Sequence, residues 1–267
     1  MNSKLFFADL DGTLLNDNKE ISKALKLTLL EYMNRGNYLA LSSGRPIGSV
    51  KAVAAGLDII HPNLFCIGYN GGLIYHYDSD RIILEKKLDT DTMHMAGKIA
   101  EECGVYSHAY SDTEILIGKV TEELKFYRKT VKLQVRIIDN YPEGLSEASC
   151  KMLCISFDGA DRLMPLSDLL MKTLQGKVNC VMSNERLLEV FPASSGKGVA
   201  VRELSEYLGI SIADTFAAGD EQNDISMIEA AGHGIAMLNA RDIVKESADI
   251  ITSKDNNNDG LLEFFML

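Results

Sequence analysis

The chain has 267 residues, 46% hydrophobic and 24% charged, with a formal net charge of −11. That length allows one large core, or a core domain with a smaller companion, and the composition is that of an ordinary globular protein. The charge excludes unspecific nucleic-acid binding, which needs a positive field, and no run of 18 apolar residues offers a membrane span.

The first apolar run, "KLFFADLDGTLL" (Lys4 to Leu15), heads straight into Asp9 and Asp11. Asp9 interrupts it, so it does not read as a signal peptide. Up to Leu10 it has the length and continuity of a strand covered on both faces. "ISKALKLTLLEYMNRG" then places Ile21, Leu25, Leu29 and Met33 four apart, with Ser22 as N-cap and Gly36 as the stop, which predicts a helix. "YLALSS" is a second strand, "RPIGSVKAVAAG" a second helix with Pro46 near its first turn, and "NLFCIGY" a third strand. Strand and helix alternating in this way predict a parallel sheet with right-handed crossovers.

Between Leu84 and about Leu188 the rhythm changes. A hairpin-like pair ("GGLIYHY" and "RIILEKKL") opens this stretch. A helix near Thr92 to Glu102, strands such as "LQVRIID" and "MLCISF", and a helix near Asp161 to Leu174 follow. Strands and helices without regular alternation predict an α+β domain, residues 84–188, inserted into an α/β domain of residues 1–83 and 189–267. The end of the chain returns to the first grammar, with "GKGVAVRELSEYLGI", "NDISMIEAAG", "ARDIVKESA" and "DGLLEFFM" as helices and "DTFAAGD" and "HGIAML" as strands. The polar loop "DNNNDG" carries no assigned role. Cys66, Cys103, Cys150, Cys154 and Cys180 lack metal spacing and read as free thiols, Cys150 and Cys154 on one strand face, in a chain expected in the cytoplasm.

In open α/β sheets ligands sit outside the carboxyl ends of the strands. Three strands deliver polar residues there: Asp9, Asp11, Gly12 and Thr13 from the first; Ser42, Ser43, Gly44 and Arg45 from the second; Gly219, Asp220, Asn223 and Asp224 from a late one. Parallel pairing brings these ends to one rim, where Asp9 and Asp220 supply hard oxygen ligands suited to an octahedral magnesium ion. Taken singly, each piece has a plainer reading. D-x-D-G also makes a turn whose aspartates bond their own backbone, and Ser43-Gly44 also caps an ordinary helix. "SSGKG" is not a nucleotide-binding P-loop, because Phe191 stands where the first glycine belongs and Gly198 where Ser or Thr should follow Lys197. Alone, Lys197 reads as a solvated lysine at a helix start.

In order along the chain, "FFADLDGTLL", "LALSSGRP", "SSGKGVAV" and "AAGDEQNDISMI" resemble the four motifs of the haloacid dehalogenase superfamily, and more narrowly the Cof-type phosphatases. "YNGG" (Tyr69 to Gly72) and the ending "ADIITSKDNNNDGLLEF" resemble that subfamily too. The resemblance implies a Rossmann-like, doubly wound parallel sheet core with an α+β cap domain inserted between the second and third motifs. It implies a nucleophile at Asp9, which takes the phosphoryl group as an aspartyl-phosphate, and a general acid, then base, at Asp11. Magnesium would be held by the Asp9 carboxylate, the main-chain carbonyl of Asp11, and Asp220. Gly12, Ser43, Gly44, Lys197 and Asn223 would hold the phosphoryl group, with Asp224 supporting from behind. Many relatives have Thr at Ser43, and the hydroxyl is kept.

Physical chemistry agrees with these roles. A carboxylate of pKa ~3.9 is ionised at neutral pH and repelled by a phosphate dianion. Mg²⁺ and the lysine cation would remove that repulsion and stabilise charge on the equatorial oxygens. Asp11 has to be protonated when the ester leaves, and a place away from the metal favours that. The cap would close over the site and choose the leaving group, with Tyr106, His108, Tyr110 and Arg136 as candidate contacts. The expected activity is hydrolysis of small phosphorylated metabolites: sugar phosphates, or phosphorylated cofactors such as pyridoxal phosphate or flavin mononucleotide. No obligate protein partner is evident. The alternatives are a phosphomutase and a catalytically silent sugar-phosphate binder; intact Asp9, Asp11, Lys197 and Asp220 argue against the latter.

Overall fold

The apolar run before Asp9 becomes strand β1 (Leu5–Ala8), with all four residues buried. In the computed structural model, which describes residues 3–129 and 131–266, β1 lies inside an eight-stranded sheet. Helix α1 (Lys23–Asn34) follows, capped by Ser22, whose side chain accepts from the Leu25 amide, and it buries Leu25, Leu29 and Met33 at the expected spacing. Strand β2 (Tyr38–Ser42), helix α2 (Ile47–Gly56) and strand β3 (Leu64–Gly68) complete the first alternation. Strands β4 (Leu73–His76) and β5 (Arg81–Glu85) extend the same sheet, β4 antiparallel to β3. The hairpin expected to open the insert is therefore an edge of the main sheet. A parallel sheet accepts an antiparallel edge, and alternation alone does not say which sheet a strand joins.

The chain divides into two compact units, one built up to Leu84 and again from Gly196, the other Glu85–Ser195. The second unit contains α3 (Thr90–Glu102), β6 (Tyr106–Tyr110), β7 (Glu114–Ile117), α4 (Glu122–Tyr127), β8 (Gln134–Ile137), β9 (Met152–Ile155), α5 (Ala160–Thr173), β10 (Val178–Asn184) and β11 (Leu187–Pro192). Its six-stranded sheet has the order β10-β11-β9-β6-β7-β8. Met93 and Ala96 of α3 and Leu163, Leu166 and Leu170 of α5 share one buried cluster with Met152, Leu188 and Val190 of the sheet. The expected boundary between residues 188 and 189 falls inside β11. That strand pairs antiparallel with both β9 and β10, so it stays with the second unit.

The first unit resumes with α6 (Lys197–Leu208), β12 (Thr215–Gly219), α7 (Ile225–Ala230), β13 (His233–Ala236), α8 (Asp242–Glu246), β14 (Ile250–Ile251) and α9 (Leu262–Phe265). Its sheet order is β14-β13-β12-β1-β2-β3-β4-β5, parallel from β14 through β3. Helices cover both faces, as in a doubly wound fold. Leu5 and Phe7 share a buried cluster with Ala200, Val201 and Leu204 of α6 and Met227 of α7. Phe6, facing the other way, packs on Phe265, whose ring meets Tyr32 of α1 edge-on. Register matters most for the site: Ala8 lies opposite Ala218 on one side and Leu41 on the other. The strands thus end together, and Asp9, Ser43 and Asp220 leave the sheet along one rim.

Candidate active site

Lys197 organises the rim. The first residue of α6, it is 1% exposed, and its Nζ donates to Asp9 Oδ1 at 2.6 Å, Asp224 Oδ1 at 2.5 Å and the Ser42 carbonyl at 3.2 Å. The plainer reading of a solvated lysine fails here, and the reason lies one residue on. A Cβ at Gly198 would stand 2.1 Å from the Ser226 carbonyl oxygen, so the missing side chain lets α6 start against α7. That seating brings the lysine down onto the strand ends.

Asp224 is fully buried, and both its oxygens are engaged. One faces Lys197, and the other accepts from the Asp220 and Glu221 amides, each at 3.1 Å. Asp220 accepts from the Thr13 hydroxyl at 2.8 Å. Gly12 sits at φ +80°, where a Cβ would come within 2.2 Å of Asp220 Oδ2, so the D-x-D-G turn and the late aspartate fit only around a glycine. Burial, and then the charge of Asp224, push the Asp9 carboxyl well above its ordinary range and that of Asp220 up to about 7. Burial alone would lower the Lys197 ammonium, but Asp224 and Asp9 more than reverse this and hold the proton on it.

Three carboxylates around one lysine leave negative charge in excess. Asp9, Asp220 and Asp224 each offer an oxygen within 4.8 Å of the others. Because Asp224 is committed on both sides, Asp9 and Asp220 are the carboxylates of this cluster that could hold a cation. Their all-oxygen donor set and mutual repulsion fit a hard divalent ion.

Asp11, two residues from Asp9, has the opposite surroundings. Arg45 grips it with two bonds, Nε to Oδ2 at 2.8 Å and Nη2 to Oδ1 at 2.6 Å, while Lys19 Nζ stands 2.8 Å from Oδ1. Burial would raise this carboxyl, but Arg45 and Lys19 win and hold it below its ordinary value. In this conformation the two cations favour the ionised form of Asp11, so a place away from the metal is not by itself enough to favour a proton there.

Ser43 is buried, tied by its amide to the Ile67 carbonyl and by its carbonyl to the Asn70 amide, and its hydroxyl accepts from the Arg45 amide at 3.2 Å. Gly44 lies between Ser43 and Arg45 in the same turn. Asn223 donates to Asn70 Oδ1 at 3.3 Å. The rim thus joins Asp9, Lys197, Asp220 and Asp224 by direct contacts or close approach, with Gly12 and Thr13 against Asp220. Ser43 and Asn223 meet around Asn70, and Asp11 turns aside to Arg45. Thr13, Lys19, Arg45 and Asn70 were not assigned from sequence. Thr13, Arg45 and Asn70 stand inside the motifs, whereas nothing in the sequence marks Lys19.

In the second unit, the candidate contacts are mostly engaged with their neighbours. His108 and Tyr110 are buried, with His108 Nε2 2.9 Å from the Tyr110 hydroxyl and that hydroxyl donating to Tyr127 at 2.6 Å. Burial, helped by the Lys151 charge, drives the His108 imidazole down to about 3, so it stays neutral. Arg136 pairs with Glu114 and Glu147.

A doubly wound sheet with a lysine locked among aspartates at its carboxyl rim defines a site that could take a cation and an anionic group together. Comparison with known proteins makes this particular. The family model of haloacid dehalogenase-like hydrolases matches residues 6–265. Two relatives from Bacillus subtilis (strain 168), both named 5-amino-6-(5-phospho-D-ribitylamino)uracil phosphatase, are each 30% identical: YwtE over 98% of this chain and 96% of its own, YcsE over 97% and 92%. The crystal structure of a haloacid dehalogenase-like hydrolase from Bacteroides thetaiotaomicron superposes with a TM-score of 0.86 at 31% identity, covering 99% of both chains. The chain belongs to the haloacid dehalogenase-like hydrolases, and within them to the phosphatases. No helix among the described residues is long and apolar enough to cross a membrane.

Proposed function

We propose that this phosphatase hydrolyses phosphate monoesters of small metabolites in the cytoplasm, with Mg²⁺ and through an aspartyl-phosphate on Asp9. The observation that carries the reading is the Lys197 ammonium, held 2.6 Å from Asp9 and 2.5 Å from Asp224 among carboxylates from separate strand ends. Asp9 attacks phosphorus: its bond to phosphorus forms, the ester oxygen leaves, and Asp11 gives that oxygen a proton. Water then attacks the phospho-aspartate, Asp11 takes the water's proton, and inorganic phosphate departs. Mg²⁺, bound by Asp9, the Asp11 carbonyl and Asp220, would supply charge neutralisation for nucleophile and phosphoryl group together.

The other roles follow from each residue's surroundings. Lys197 lowers the repulsion between Asp9 and the incoming anion, and Asp224 aims Lys197. Ser43, Gly44, Gly12 and Asn223 hold phosphoryl oxygens. Because Arg45 and Lys19 keep Asp11 ionised, turnover includes an exchange in which Asp11 leaves them and gains a proton. Residues 85–195 are assigned to the choice of substrate. The names of YwtE and YcsE make a ribityl phosphate the first member of any panel, with sugar phosphates, pyridoxal phosphate and flavin mononucleotide beside it. The test is release of inorganic phosphate from that panel with Mg²⁺ present. Release by wild type and none by Asp9→Asn supports the reading. Transfer of the phosphoryl group within the substrate without release marks a mutase, and binding without turnover marks a silent binder.

A further inference from the structure

The polar loop at residues 254–260, given no role in the sequence, reaches the nucleophile loop directly through Asn256 and Asn257 and indirectly through Asn239. Asn239, beyond β13, donates from Nδ2 to the Gly12 carbonyl oxygen at 2.7 Å, and its Oδ1 accepts from the Asn256 backbone amide at 3.1 Å. A backbone N–H only donates and a carbonyl only accepts, so both ends of the Asn239 amide are specified and the flipped orientation would be mismatched twice. Asn256 itself is 8% exposed and donates from Nδ2 to the Leu15 carbonyl at 3.0 Å and to Asp17 Oδ1 at 3.3 Å. Asn257 Oδ1 accepts from the Asp17 amide at 3.1 Å. The turn that carries these groups is closed on itself: the Gly260 amide donates to the Asp255 carbonyl, and the Thr252 hydroxyl to that of Lys254. This turn and Asn239, which it orients, therefore hold the loop after β1 near both ends, Asn239 at Gly12 and Asn256 with Asn257 at Leu15 and Asp17.

The gripped loop carries the chemistry proposed above. Gly12 follows Asp11 directly and packs against Asp220, and Thr13 bonds the same carboxylate. Among the described residues, only Asn239 donates to the Gly12 carbonyl. Because the peptide is planar, fixing that oxygen also fixes the direction of the Thr13 N–H. We infer that Asn239, oriented by Asn256, is a positioning residue for phosphoryl transfer, holding residues 9–13 in the geometry from which Asp9 attacks. This rests on the reading of Asp9 as nucleophile.

The test is the isosteric Asn239→Asp, which keeps the bond accepted from Asn256 but sets an oxygen against the Gly12 oxygen. The full chain is assayed with Mg²⁺ and 4-nitrophenyl phosphate, beside Asp9→Asn and a control, Asn258→Ala, whose side chain bonds Asp255 and not the loop. Asn239→Asp should lower kcat about ten- to hundredfold while KM stays within about twofold, since misplacement of an attacking group falls on the transition state. Its melting temperature and the kcat of Asn258→Ala should match wild type. The inference is overturned if kcat of Asn239→Asp stays near wild type while Asp9→Asn is inactive. It is equally overturned if the loss tracks a lower melting temperature and vanishes on assay at lower temperature, for that is a structural role. Activity in Asp9→Asn would instead remove the nucleophile reading, and this inference with it.

Discussion

Asp9 and Asp11 are one residue apart, yet their surroundings push them in opposite directions. Asp9 ends a buried strand among carboxylates, where burial and the charge of Asp224 outweigh the lysine and raise it. Asp11 sits out on the loop between Arg45 and Lys19, which outweigh its partial burial and lower it. Two carboxylates on one turn can take two roles when the fold divides their neighbours in this way. The direction is instructive. In this conformation the proposed proton donor is held toward its ionised form and the proposed nucleophile lies in the more crowded field. On the proposed mechanism, charge neutralisation at Asp9 and release of Asp11 are what catalysis has to add.

The most severe way to break the pair is Asp9→Asn, which should lower kcat by about 10⁴-fold or more while leaving the fold intact, as expected when a covalent nucleophile is removed. Circular dichroism and kcat together check this. Lys197→Met comes next. It leaves Asp9 and Asp224 facing each other without a cation in a fully buried site. Losing one partner of a buried pair should cost about 3–5 kcal/mol, read from urea unfolding, as well as most activity.

These two outcomes rest on residues that were legible in the sequence, because charge at the end of an apolar strand demands compensation. Asp9, Asp220 and Asp224 announced themselves that way, and the alternation of strand and helix placed them on one rim. Lys197 was legible only with the family resemblance, since its burial depends on Gly198 packing against Ser226, 28 residues away. Lys19, which holds Asp11, had no signal at all: a lysine in a polar loop looks solvated until the fold supplies its partner. The expected bound after residue 188 cuts strand β11 for a related reason, because strand period reports burial and not sheet membership. The reach of residues 254–260 to the loop after β1 spans some 240 positions and left no local trace.

Two finer predictions sharpen the contrast. Arg45→Met removes the main cation lowering Asp11, so the Asp11 pKa should rise. With an ester whose leaving group needs a proton, the alkaline limb of the kcat profile should move to higher pH; an unmoved limb would show that Arg45 does not control that proton. The smallest effect concerns stability without metal. The folded values of Asp9 and Asp220 are raised above the ordinary 3.8, that of Asp220 to about 7. The Asp220 contribution is thus fully present below that ordinary value and lost as pH rises through about 7, and that of Asp9 changes in the same direction. Metal-free protein should accordingly melt at lower temperature at pH 8 than at pH 6, and Mg²⁺ should reduce the difference. A melting temperature that rises over this range in chelated protein would contradict the sign.

The division of labour between the two aspartates is tested most directly by trapping. Asp11→Asn, mixed with Mg²⁺ and 4-nitrophenyl phosphate, has a leaving group that needs no proton but lacks the base for the second step. Mass spectrometry of the quenched protein should find one added phosphoryl group, located on the peptide carrying Asp9 and released by mild alkali. An unmodified protein after a full burst of nitrophenol, or a phosphoryl group on any other residue, would contradict the account.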